Sequence, residues 1–182
     1  MIYVIRHGKT DWNVRQLMQG DVDVPLNEAG REDAVKAREA NPDLPVDICY
    51  CSPLVRAKET AEIFLEGRNI PVIPDDRLRE MCFGVYEGEL AMGEFKETGF
   101  YEHPEDYRTP EGGESFEEVF ARTGEFIREI LAPLVKEGKN VLIAGHGVMN
   151  CAFISQLEGT AVKDIWKHMQ RNGAVYMLDW KP

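Results

Sequence analysis

Two short apolar runs constrain the architecture of this chain more than any other feature. The first is Ile2-Tyr3-Val4-Ile5, and the second, near the other end, is Val141-Leu142-Ile143-Ala144. Neither carries a charge, and both are rich in β-branched residues. Such runs fit central parallel strands covered on both faces. Each ends in the same way, with Arg6-His7-Gly8 after the first and Gly145-His146-Gly147 after the second. In open α/β sheets, ligands bind just beyond the carboxyl ends of the strands. Two of the four histidines therefore stand where a ligand would bind.

Strands are predicted over 2–6, 46–51, 70–74, 140–145 and 173–180, with helical patterns between them. Asn27 is placed to cap a helix running to about Ala40. Ser52-Pro53 predicts a second start, with a capping hydroxyl and then a proline at the first helical position. Ser115-Phe116-Glu117-Glu118 has the capping-box arrangement and opens a long amphipathic helix. A last helix is expected from about Val148 to Leu157. Strands alternating with helices imply a three-layer α/β/α sandwich with a mostly parallel central sheet. A length of 182 residues fits one domain, 1–182. The least regular stretch, about 89–113, reads either as a lid-like binding insertion or as a surface loop whose aromatics plug the edge of the core.

The formal net charge of −11 opposes phosphate backbones and anionic membrane surfaces. Nucleic-acid and membrane partners are not expected. A small anion remains compatible if its pocket is locally basic. Cys49 and Cys51 alternate on one strand face, so packing is expected there rather than a bridge. No Cys-x-x-Cys spacing supports zinc, and the expected setting is reducing and cytoplasmic.

Histidines at strand ends, with Arg56 and Glu80 between them in sequence, fit phosphoryl transfer. That chemistry needs a nucleophile, cations for the equatorial oxygens and an acid for the leaving oxygen. Imidazole serves as nucleophile when one nitrogen is unprotonated and the other is held. Arg6 and Arg56 match phosphate oxygens through their planar forks. Glu80, beside Met81-Cys82-Phe83, is the candidate acid if apolar neighbours favour its protonated form. Taken singly, Arg56 also fits a solvated helix arginine, and Glu80 a loop carboxylate in an ion pair.

The ordered set of motifs is similar to the histidine phosphatase superfamily, the phosphoglycerate-mutase-like group. The matching stretches are Ile5-Arg6-His7-Gly8-Lys9-Thr10-Asp11-Trp12-Asn13, Gln19-Gly20, Pro25 to Gly30, Ser52 to Ala57, Leu78-Arg79-Glu80 with Phe83-Gly84 and Glu87-Gly88, Gly112 to Ser115, and Gly145-His146-Gly147. The resemblance implies a phosphorylated nucleophile at His7 and a phosphate pocket of Arg6, Arg56 and His146. It places the proton donor at Glu80, and Asn13, Thr10, Gln19, Gly20 and Gly147 at the substrate. It further implies a mixed sheet, no metal and no cofactor. The expected partner is a small phosphorylated metabolite: a phosphosugar, a phosphoglycerate or a nucleotide-like phosphate from cobalamin synthesis. Monomer and homodimer both stay open.

The chain departs from the pattern at Lys9, where the family usually has Glu, and at Val148, where a second Gly is frequent. Relatives often run one strand beyond the Val175–Trp180 region. In the mutase branch an arginine follows the catalytic glutamate and a lysine lies eleven residues beyond it; here those positions are Met81 and Ala91. The expected activity is phosphomonoester hydrolysis through phosphohistidine. The rivals are a cofactor-dependent phosphoglycerate mutase, a non-catalytic phospholigand-binding domain, and a metal site using His7, His103, His146 and His168.

Overall fold

A computed structural model describes residues 1–182. Five strands form one sheet: β1 (Ile2–Arg6), β2 (Ile48–Cys51), β3 (Val72–Pro74), β4 (Val141–Gly145) and β5 (Val175–Leu178), in the order β3-β2-β4-β1-β5. The first four are mutually parallel, and β5 runs antiparallel along β1 at the sheet edge. The helices are α1 (Asp11–Val14, a single turn), α2 (Glu28–Ala40), α3 (Val55–Phe64), α4 (Phe116–Phe126), α5 (Ala132–Lys136) and α6 (Gly147–Glu158). A π-helical turn, Ile127–Leu131, joins α4 to α5.

Strand side chains alternate between faces with a period of two, and this builds the two cores. Ile2, Val4, Val141 and Ile143 pack on one face against Phe126 of α4 and Phe153 of α6. Tyr3, Ile5, Leu142 and Ala144 face the other way, against Ala37 of α2 and Phe64 of α3. With both faces covered, β1 and β4 are buried almost throughout, as their unbroken apolar runs require. Cys49 and Cys51 lie in the second core as free thiols. Burial pushes the Cys51 thiol up to about 11.

The caps of α2 and α4 stand where the sequence places them. The Asn27 side chain accepts from the Gly30 N–H. Ser115 and Glu118 form the reciprocal capping box. The start of α3 differs. That helix opens at Val55, and Ser52 is buried, its hydroxyl accepting from the Leu54 N–H. The Val55 N–H is instead taken by the Asp23 carboxylate, 2.7 Å away. A cap brought in from another loop leaves no local trace in sequence.

Residues 89–113 contain only single turns, Glu94–Thr98 and Pro104–Asp106. Phe95 and Phe100 of this segment are buried in a third apolar cluster with Phe83 and Phe116. Trp166 lies 4.8 Å from Phe100, ring centre to ring centre. No helix is long and apolar enough to cross a membrane.

Candidate active site

The register of β1 on β4 builds the site. Arg6 stands opposite Gly145, so the next residues, His7 and His146, leave the sheet side by side. Their ring centroids are 5.2 Å apart, inclined at 61°. The turn after His7 is narrow: a Cβ on Gly8 would come within 2.1 Å of the Gly30 carbonyl oxygen. Gly8 lets β1 turn against the start of α2, and Thr60 of α3 accepts from its N–H.

A nitrogen of His7, Nδ1, lies 2.7 Å from the Gly8 carbonyl oxygen. A carbonyl only accepts, so Nδ1 carries the proton and Nε2 keeps its lone pair. Burial, then the charges of Arg56 and Arg6, hold His7 well below its ordinary value. The ring is therefore neutral and open at Nε2. His146 is also buried, and the same forces hold it well below the usual range. Neither of its ring nitrogens has a hydrogen-bond partner.

Arg6 donates from one terminal nitrogen to the Gln170 carbonyl at 2.6 Å. Arg56, fully buried in the first turn of α3, donates to the Gly20 and Val22 carbonyls at 2.7 Å each. Burial lowers its guanidinium to about 10, still charged at neutral pH. The Nε–H of each arginine is buried without a partner. Unpartnered buried polar groups are rare and cost about 1–3 kcal/mol each. Here four such nitrogens, two on His146 and one on each arginine, lie around His7.

Glu80 is buried, and main-chain donors as well as apolar neighbours surround it. Its carboxylate lies at the N-terminus of α6: Oε1 accepts from the Met81 and Met149 N–H groups and Oε2 from that of Val148, at 2.8–3.1 Å. The helix supplies donors where the local sequence shows only apolar neighbours. Glu114 is turned elsewhere, paired with Arg122 at 2.6 and 3.0 Å.

Arg6, His7, Arg56, Glu80 and Gly147 line one cavity of about 200 Å³. Asn13, Gln19 and Gly20 line it too. Asn13 spends its carbonyl oxygen on the Thr10 N–H, leaving its amide NH2 uncommitted. Gly20 has a φ of +50°, and a Cβ there would strike the Glu87 carboxylate. Thr10 lies outside the lining; its hydroxyl caps α1 and donates to Gln19 at 2.8 Å. His146 lies behind the wall rather than in it. Lys9 pairs with Asp33 on the surface, whereas Val148 lines the cavity. His103 and His168 are remote; His168 meets Thr160 at 2.9 Å.

Several supporting residues escape a reading of the sequence. Asn172 donates to the His7 carbonyl at 2.9 Å. Gln170 is buried and donates to the Val4 and Ala174 carbonyls. Arg122 reaches from α4 to the carbonyls of Arg77, Arg79 and Glu80. Apart from the Gln170 bond to Ala174, four residues on, none of these lies in a local pattern with its target.

Two neutral histidines at the ends of adjacent parallel strands, with the guanidiniums of Arg6 and Arg56 beside them, each buried at its Nε, make an α/β site whose chemistry suits a small anion. The chain belongs to the histidine phosphatase superfamily (branch 1), which it matches over residues 2–182. A 2,3-bisphosphoglycerate-dependent phosphoglycerate mutase of Gloeobacter violaceus is 30% identical over 174 residues, covering 92% of this chain and 80% of the mutase. The solved structure of Bacillus stearothermophilus YhfR superposes with a TM-score of 0.85 at 35% identity, covering 96% of this chain and 88% of YhfR. A mycobacterial glucosyl-3-phosphoglycerate phosphatase, solved in complex with VO3, superposes at 0.84 with 29% identity, covering 96% and 90%. Both mutases and phosphatases thus stand among its relatives.

Proposed function

We propose that this protein hydrolyses small phosphomonoesters through a phosphohistidine on His7, without a metal ion. The observation that carries this reading is the set of four buried, unpartnered nitrogens of Arg6, Arg56 and His146 around a histidine whose Nε2 is free. A phosphoryl group supplies acceptors for the two guanidinium Nε–H groups and for the one nitrogen of neutral His146 that carries a proton. His7 Nε2 forms a bond to phosphorus while the bond to the ester oxygen breaks. Glu80 gives its proton to that leaving oxygen. That proton arrives with the phosphomonoester, taken up as its monoanion. Water then attacks phosphorus, its proton passes to Glu80, and the N–P bond breaks to release phosphate and neutral His7. Preorganised donors of this kind are each worth roughly a hundred- to a thousandfold in rate.

Similarity to phosphoglycerate mutases makes isomerisation the second reading. A mutase must also hold the carboxylate and second phosphate of its intermediate. Met81 and Ala91 offer no charge for these groups, and the other arginines nearby are engaged. Arg79 pairs with Asp21 at 2.6 Å, Arg77 with Asp75 and Glu129 at 2.7 and 2.8 Å, and Arg108 donates to the Glu97 carbonyl. The test is a panel of phosphomonoesters assayed for phosphate release in excess chelator, with 3-phosphoglycerate plus 2,3-bisphosphoglycerate followed in parallel. We expect phosphate release undiminished by chelation and negligible 2-phosphoglycerate. Efficient isomerisation with only trace release would reverse the choice, and release restored only by a divalent ion would remove metal independence.

A further inference from the structure

Resting on that hydrolase reading, we propose that the leaving-group half of the cavity selects esters whose alcohol is uncharged and presents an aromatic or other flat apolar face. The cavity lining is of two unlike kinds. Arg6 and Arg56 flank His7, and no other Lys or Arg lines the cavity. Each of these two arginines already gives donors to main-chain carbonyls, so their remaining N–H groups serve one phosphoryl group. The apolar part of the wall is Met18, Phe83, Phe100, Tyr101 and Met169, the last touching Arg6 through its sulfur at 3.4 Å.

Tyr101 is the centre of that wall. It is 37% exposed, yet its ring is fixed by edge contacts to Phe100 at 5.0 Å and Phe95 at 6.0 Å. Its hydroxyl reaches the Met18 sulfur at 3.6 Å. Behind it, the Trp166 indole N–H pins the Phe100 carbonyl at 3.2 Å. A rigid aromatic ring backed by a packed cluster is a platform for a flat apolar group. Met18 and Met169 are the adaptable parts of the wall. A carboxylate pressed against these side chains would lose its water and find no cation but Arg6, whose remaining donors the phosphoryl group takes, and that is costly. Asn13 and Gln19 in the lining offer neutral amides, which suit hydroxyl or amide groups on the alcohol.

The test compares matched pairs that differ by a single charge. 2-Phenylethylphosphonate and its 4-carboxy analogue, which cannot turn over, are titrated by calorimetry; the corresponding phosphate esters, with similar leaving groups, are assayed for phosphate release. The uncharged member is expected to bind about tenfold more tightly and to show a similar advantage in kcat/KM. Tyr101→Ala should shrink the ratio to about threefold or less, and Ala91→Lys should improve binding of the carboxylated phosphonate about fivefold, the scale of a single exposed ion pair. Equal affinities, tighter binding of the carboxylate, or a ratio unmoved by Tyr101→Ala would overturn the proposal. If neither ester releases phosphate while the phosphonates keep their tenfold difference, the hydrolase reading falls and the selectivity stands.

Discussion

In a neutral imidazole one nitrogen bears a proton and the other a lone pair, and the Gly8 carbonyl fixes that choice in His7. Burial and the two arginines keep both His7 and His146 neutral well below their ordinary value of 6.5. The unfolded chain takes up protons at these histidines as pH falls through about 6.5, whereas the folded chain refuses them until lower pH. Stability is therefore full above that range and declines toward pH 5, by up to about 1.4 kcal/mol per pH unit for each histidine. Urea unfolding of wild type and His146→Asn at pH 7 and pH 5 measures this. The variant should lose roughly half of the histidine-linked decline, and identical slopes would contradict it. Glu80 invites a different kind of test. Glu80→Gln keeps a carbonyl oxygen for the α6 N–H groups but cannot deliver a proton. Its loss in kcat should be at least tenfold greater for alkyl phosphates than for p-nitrophenyl phosphate, whose phenolate leaves with little help. Equal losses in the chemical step would assign the proton to another group.

Helix α4 does more than cover one face of the sheet. Arg122 projects from it to three successive parts of the 77–80 chain and is fixed by Glu114, so the loop that presents Glu80 is clamped from below. A lysine keeps the charge but not the fork that makes these bonds. Arg122→Lys should cost about 2 kcal/mol in urea unfolding, the scale of charged hydrogen bonds. It should also reproduce in weaker form the leaving-group asymmetry of Glu80→Gln; slowing that is uniform across leaving groups would mean that Arg122 matters for packing alone. What the sequence makes legible follows from how local each signal is. β1, β4 and the caps at Asn27 and Ser115 are written in consecutive residues, and the structure has them where the pattern puts them. The opening of α3 is not, because Asp23 caps it from another loop. Nor is the direction of β5, which its pairing with β1 decides. The single turns of residues 89–113 have no periodicity because Phe95 and Phe100, rather than a helix face, hold them in place.

At the scale of the whole molecule, an envelope with a formal net charge of −11 surrounds a cavity whose cations are Arg6 and Arg56. Such a cleft focuses its own field on a small anion, while the acidic envelope repels long polyanions. The fold serves the site by placing two adjacent parallel strands in a register that brings His7 beside His146, with α3 delivering Arg56 and α6 receiving Glu80. Most of that site was visible as ordered motifs. The exceptions are Gln170, Asn172 and Arg122, whose partners are distant in the chain. The proposed reaction turns on one covalent event at one nitrogen. The direct measurement is a rapid quench without acid during turnover of a labelled phosphomonoester, with the label mapped by mass spectrometry. The account predicts an acid-labile phosphoenzyme on His7 in the wild type, and neither label nor turnover in His7→Ala. Label on another residue, or turnover that persists in His7→Ala, would contradict it.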